Sequence, residues 1–339
     1  MRGWASRLTE IGAARFLCGG RSTDEEARMA LSKSALAGVC CALVTPVDAQ
    51  GAVDRAAVRR LVDFLLAAGV DGLVPVGGTG EYPALSPRAR RGMVEATVAA
   101  TAGRVPVVAG VLAPGFADAV QAGREFKAAG ADGLLLITPY YTPPTQSGIR
   151  QYFDAYLSAV GLPLLLYEIP ARTGIAVAAE TIAAMAEDGS IIGMKSCNPD
   201  LGQFIRVLAL ASDRIAVLSG EEPFFATQVG MGAAGGILAT ANLVPRLWNE
   251  IYALASRGDL QGALKKQDEL QPLLAAIFAE TNPGPLKAAM AMADLAVGDP
   301  LLPLSSPGRE TLAQLQAVVP PTLRRERAAP GQAGPGAAR

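Results

Sequence analysis

The chain has 339 residues, 50% of them hydrophobic and 18% charged, with a formal net charge of -1. That length suits one large domain, or one domain with a helical appendage, and the near-neutral balance offers no electrostatic footprint for nucleic acid or an acidic membrane surface. No apolar stretch approaches the ~20 residues that span a bilayer, so the composition reads as that of a soluble globular protein.

In chain order, residues 1–36 show no sustained periodicity and no apolar h-region of a signal peptide, and the acidic trio Asp24, Glu25, Glu26 argues against a transit peptide. They are expected to be a disordered extension, or an over-long start with Met29 as the initiator. Eight apolar runs follow: VCCALV (39–44), DGLVPV (71–76), VPVVAGV (105–111), DGLLLIT (132–138), LPLLLYEI (162–169), SIIGMK (190–195), IAVLSG (215–220) and AAGGILA (233–239). After the first, Val58, Leu61, Val62, Leu65 and Leu66 keep the helical period, with Asp54 as N-cap and Gly69 at the end. Continuous apolar runs alternating with amphipathic segments are strands buried on both faces, and eight of them predict an α/β fold, a (β/α)8 barrel over 37–257. Residues 258–319 add a C-terminal helical region interrupted by Pro272, Pro283 and Pro285. The Pro/Gly/Ala-rich tail 320–339 is expected to be disordered. The cysteines, Cys18, Cys40, Cys41 and Cys197, lack CxxC spacing and suit a reducing cytoplasm.

Chemistry in such barrels sits at the carboxyl ends of the strands. Those ends carry Thr45, the GGTGE loop (77–81) with Gly78 and Thr79, TPYY (138–141) with Tyr141, Tyr167 with Glu168 and Arg172 behind it, Lys195, Gly220 and Ile237. Singly, each has a plain structural reading: a tyrosine pair caps or packs, an arginine pins a loop, a glycine pair turns the chain. Their shared location is what those readings do not explain. The sequence has no histidine, which leaves acid–base chemistry to Tyr, Lys, Asp, Glu or Cys and removes the usual zinc and iron ligands. Lys195 at the end of an apolar run is expected to be held neutral, hence nucleophilic toward a ketone. Tyrosine is the leading proton shuttle. Thr79 and the Gly-rich turn offer donors to a carboxylate, and Arg172 can clamp a second one. This is a Schiff-base lyase site that needs neither metal nor organic cofactor.

GGTGE with Leu85-Ser86, TPYY, YEIPARTG (167–174), GMKS (193–196), SGEE (219–222), GILATANLVP (236–245) and NPGPLK (282–287) occur in an order that resembles the dihydrodipicolinate synthase / N-acetylneuraminate lyase family, from about residue 37 to 318. The resemblance implies a (β/α)8 barrel with a C-terminal helical region, a homotetramer or homodimer, that binds a 2-oxo acid as a Schiff base. It implies Lys195 as the Schiff-base lysine, Tyr167 as the proton relay and Thr79 as the carboxylate binder. Tyr141 matches the tyrosine that reaches across the tight dimer interface, Arg172 the arginine that holds the incoming aldehyde's carboxylate, and Gly220 and Ile237 backbone positions of the pyruvate pocket. Three positions depart from the synthase pattern. Gly78 replaces a hydroxyl residue that links the two tyrosines, Glu168 replaces an Asn, and Pro114 stands where lysine-regulated synthases carry an Asn, so lysine feedback is not expected.

Tyr141, Tyr167, Arg172 and Lys195 together favour a synthase that condenses pyruvate with aspartate semialdehyde. Gly78 and Glu168 fit instead an aldolase or dehydratase acting on a 2-keto-3-deoxy sugar acid. A third reading, a non-catalytic paralogue that binds a 2-oxo acid, sits poorly with the retention of both Lys195 and Tyr167.

Overall fold

The computed structural model describes residues 31–329. Its sheet is eight-stranded and wholly parallel: β1 (Gly38–Ala42), β2 (Gly72–Val74), β3 (Val108–Val111), β4 (Gly133–Ile137), β5 (Leu164–Glu168), β6 (Gly193–Ser196), β7 (Ala216–Ser219) and β8 (Gly235–Leu238). Each strand falls on one of the eight apolar runs, β1 and β6 overhanging theirs by one residue, Gly38 and Ser196. Hydrogen bonding runs β2-β1-β8-β7-β6-β5-β4-β3, and the two ends meet through a parallel bridge between Leu73 and Val107. That last seam is thin for a covalent reason. Pro75 and Pro106 flank it and have no N–H to give, so they contribute carbonyls only, to Gly110 N and Leu73 N at 3.0 Å each. The result is the expected (β/α)8 barrel, with every strand residue buried because helices cover the outside and side chains fill the middle.

The helix Arg55–Ala67 shows how the local code works. Asp54 caps it, its side chain accepting from Ala56 N and Ala57 N at 3.0 Å each. Val58, Leu61, Val62 and Leu65 are buried, each contributing about 1.5–3 kcal/mol of transfer free energy. Gly69, at φ 85°, turns the chain into β2.

Both ends of the chain differ from the expected boundaries. Leu31 and Leu36 belong to the hydrophobic core, and Ser34–Leu36 form a 3-10 turn, so the folded part begins before residue 37. The expectations for residues 1–30, including the start at Met29, and for 330–339 lie outside the described residues. At the other end, residues 320–328 are not a loose tail but the second half of a helix, Arg309–Ala328. Its buried stripe, Leu315, Val319, Thr322 and Glu326, keeps the helical period through Pro320 and Pro321. The Glu326 carboxylate accepts from Arg246 N (2.9 Å) and Leu247 N (3.0 Å), which caps the helix Pro245–Ser256. Tertiary packing and one capping carboxylate outweigh a composition that reads as a break. Among the described residues no helix is long and apolar enough to cross a membrane, and no group of three His, Cys, Asp or Glu could hold a metal ion.

Candidate active site

A cavity of about 610 Å³ opens at the carboxyl ends of the strands. Strand register places its two central side chains. Tyr167 in β5 and Lys195 in β6 are direct partners in the parallel ladder, so they stand side by side on the same face. Lys195 Nζ lies 5.1 Å from the centre of the Tyr167 ring. Gly220 follows β7 and takes its place through a backbone bond to Ser196 O at 2.7 Å. Arg172 rises on a single helical turn, Pro170–Thr173, that Gly174 stops at φ 72°. The loop carrying Gly78 and Thr79 is bent hard, with Val76 at φ 52° and Glu81 at φ 57°. A β-branched residue tolerates such a conformation only where its surroundings impose it.

Seven of the residues proposed from sequence line this cavity: Gly78, Thr79, Tyr167, Arg172, Lys195, Gly220 and Ile237. Three do not. Thr45 is fully buried and donates its hydroxyl to Gly80 O at 2.7 Å, so it braces the glycine-rich loop instead of meeting a ligand. Glu168 is buried beneath the site, where its carboxylate accepts from Asn198 Nδ2 at 3.1 Å and from the Val177 backbone. Alternation along β5 explains it: if Tyr167 faces the barrel mouth, its neighbour faces away. Tyr141, at φ 71°, is 92% exposed and stands outside its own chain's cavity. Sequence reasoning also missed lining residues: Glu221, Glu222, Cys197 and the segment Phe278–Asn282 from the C-terminal region. NPGPLK was visible as a motif, but nothing in one sequence says which strand end it covers.

Electrostatics correct one expectation. Burial pulls the Lys195 ammonium down, while negative charge on Tyr167, Cys197 and Glu222, in the forms where they are ionised, pulls it up and above the ordinary lysine value, with Arg172 opposing them. The amine must be free of its extra proton when it attacks. Burial likewise raises the Tyr167 phenol, against the pull of Lys195 and Arg172, and pushes the Cys197 thiol up to about 11. At neutral pH the phenol is thus an acid with a proton to give, and the thiol is inert.

Two expected results follow from this packing. A Cβ added at Gly220 would stand 2.8 Å from Lys195 Cε and press on Cys197 Sγ, closer than real contacts come. Gly220→Ala is expected to displace Lys195 and slow any covalent reaction there by about 100-fold, since small misplacement of a reacting group costs that much. A pre-steady-state rate of adduct formation measures it, and a rate within threefold of wild type contradicts the packing. The second concerns Glu168. Burial lifts its carboxyl from 4.5 to about 7, while Asn198 and the Val177 N–H pull the other way. Between those values the folded chain holds a proton that the unfolded chain has released, so stability is lost as pH rises through that window. At about 1.4 kcal/mol per pH unit the loss reaches about 3 kcal/mol. Glu168→Gln removes it: the variant's stability advantage in urea unfolding is expected to grow from near zero at pH 4.5 to about 3 kcal/mol at pH 8. An advantage that does not change with pH would refute the assignment.

Residues 35–320 match the family model described as Dihydrodipicolinate synthetase family. The chain is 38% identical, over 282 residues, to the 4-hydroxy-tetrahydrodipicolinate synthase of Acidiphilium cryptum, covering 83% of this chain and 97% of that one. The chain belongs to the dihydrodipicolinate synthetase family. Solved structures agree. The dihydrodipicolinate synthase from Thermotoga maritima superposes with a TM-score of 0.82 at 31% identity, covering 84% of this chain and 98% of that one. The chloride-inhibited enzyme from Acinetobacter baumannii, complexed with pyruvate, gives 0.81 at 31% identity, with 84% and 98% covered. Against this family background Gly78 stands out for its surroundings. A Cβ there would meet Arg172 Nη1 at 3.5 Å and the Tyr167 hydroxyl oxygen at 3.8 Å, which are ordinary contact distances. The glycine leaves unfilled a place beside the tyrosine hydroxyl that a side chain would fit.

Proposed function

We propose that this protein is a Schiff-base-forming lyase of the 4-hydroxy-tetrahydrodipicolinate synthase type, which condenses pyruvate with aspartate semialdehyde through Lys195. The observation that carries the reading is the in-register pair Tyr167 and Lys195 at one cavity with Thr79 and Arg172. The relatives' names and the pyruvate complex of the Acinetobacter baumannii enzyme support the same substrate. Thr79 and the glycine-rich loop hold the pyruvate carboxylate. Lys195 gives up its extra proton and its amine adds to C2 of the ketone. Tyr167 then protonates the former carbonyl oxygen, which leaves as water. The iminium draws electrons from C3, a methyl proton passes to the Tyr167 phenolate left by the dehydration, and the resulting enamine carbon attacks the aldehyde carbon of the second substrate, whose carboxylate Arg172 clamps. The aldehyde oxygen takes the proton back from Tyr167, and the amino group of the second substrate adds to C2 and expels Lys195 as the free amine. The lysine is the electron sink, so the chemistry calls for neither metal nor organic cofactor.

The same reading gives Tyr141 a partner. On the exposed loop after β4 it cannot serve its own cavity, and it fits a homodimer or homotetramer in which it completes a neighbour's relay. Cys40, Cys41 and Cys197 are buried free thiols, in keeping with work in a reducing cytoplasm. Gly78 is what still favours a 2-keto-3-deoxy sugar acid as substrate, because it leaves space beside Tyr167. Glu168, the other residue behind that alternative, is turned away from the cavity. A coupled reductase assay with pyruvate and aspartate semialdehyde decides between them. Product formation is the expected result. Turnover of a keto-deoxy sugar acid with indifference to aspartate semialdehyde would replace the synthase, and binding without any turnover would leave a 2-oxo acid binding paralogue.

A further inference from the structure

Thr79 and Asn282 meet across 203 positions of sequence, where Asn282 Nδ2 donates to Thr79 Oγ1 at 2.8 Å. Both residues line the cavity, and Thr79 is buried. A hydroxyl that accepts one hydrogen bond still has its own hydrogen to give. Among the described residues no acceptor takes it. Asn282 Oδ1 is buried as well and has no partner among those residues. Turned over, the same amide would accept Thr79's hydrogen and leave a ligand in the cavity facing lone pairs. The loop and the C-terminal region are locked together beside this contact. Lys287 Nζ lies 2.6 Å from Glu81 Oε2, and Leu301 N donates to Glu81 Oε1 at 2.6 Å.

We propose that Asn282 is a positioning residue that presents the Thr79 hydroxyl as a hydrogen-bond donor to the carboxylate of the 2-oxo acid. The inference rests on the reading of Thr79 given under the proposed function. It assigns the C-terminal region a part in substrate recognition: Asn282 acts through Thr79 and so sets the affinity for the first substrate, not the chemistry of the second.

Steady-state kinetics with pyruvate varied, on Asn282→Ala, Asn282→Asp, Thr79→Ala and the Thr79→Ala/Asn282→Ala pair, tests it. Asn282→Ala is expected to raise the pyruvate KM about tenfold, with kcat and the KM for the second substrate within twofold of wild type. Asn282→Asp keeps the shape of the side chain, takes Thr79's hydrogen and adds a repelling charge, and is expected to raise the pyruvate KM about 100-fold. The double variant is expected to be no worse than Thr79→Ala, because a residue acting through another adds nothing once its target is gone. A pyruvate KM within twofold of wild type in both Asn282 variants, or losses that multiply in the double variant, would overturn the inference. Wild-type protein that forms no borohydride-reducible adduct with pyruvate would overturn the functional reading instead.

Discussion

Tyr167→Phe is expected to lower kcat by about 10²- to 10⁴-fold, the usual contribution of a positioned general acid–base group. The substitution removes one oxygen and keeps the ring that packs beside Lys195, so the strand, the cavity and the lysine stay where they are. What is lost is the one tyrosine hydroxyl that lines the cavity among the described residues, Tyr141 being outside it. Departure of water from the carbinolamine needs a proton, and burial keeps the phenol protonated at neutral pH and able to supply it. The variant should therefore still accumulate a slow adduct on Lys195 while turnover collapses. Stopped-flow adduct formation beside steady-state kcat separates the two. A kcat within threefold of wild type would mean that another group, such as Glu221, which also lines the cavity, carries the proton.

The second large effect lies away from the chemistry. Lys287→Met is expected to destabilise the fold by about 3–5 kcal/mol, the cost of leaving one member of a buried ion pair without its partner. The side chains of Lys287 and Glu81 are 1% and 0% exposed, and burial already holds the lysine below its ordinary value against the pull of Glu81. With the ammonium gone, Glu81 keeps only the Leu301 N–H, and its carboxylate must be protonated or remain charged in an apolar setting. Glu81 ends the loop that carries Thr79, so the variant should also bind pyruvate less tightly. Adding Glu81→Leu to Lys287→Met removes the orphaned charge and should restore most of the stability without restoring pyruvate affinity. Urea unfolding of the two variants measures this, and a loss below about 1 kcal/mol in the single variant would refute the account of the pair.

The barrel was legible because its signals are local. Eight apolar runs became eight strands, and Asp54 capped the helix it precedes. The site's main residues were legible for the same reason: Tyr167, Lys195 and Gly220 sit at strand ends, Arg172 sits on one short helical turn beyond β5, and strand ends share one rim. The misses are non-local or depend on which way a side chain turns. Glu168 and Thr45 sit at strand ends too, but one faces Asn198 and the other Gly80. Asn282, Glu81 and Lys287 join segments about 200 residues apart, a distance that no periodicity spans. The helix through Pro320 and Pro321 was hidden because its stability comes from a buried stripe and from Glu326, and composition records neither. The surroundings of Lys195 were hidden for a related reason. Its own strand is apolar, but Tyr167, Cys197 and Glu222 surround its end.

The most direct test of the central claim is to incubate the protein with pyruvate, reduce with borohydride, and locate the adduct by peptide mass. One adduct is expected, on the peptide that carries Lys195, absent in Lys195→Ala, and forming faster as pH rises because the amine attacks only without its extra proton. No adduct, or an adduct that survives Lys195→Ala, would make Lys195 a structural lysine and contradict the mechanism.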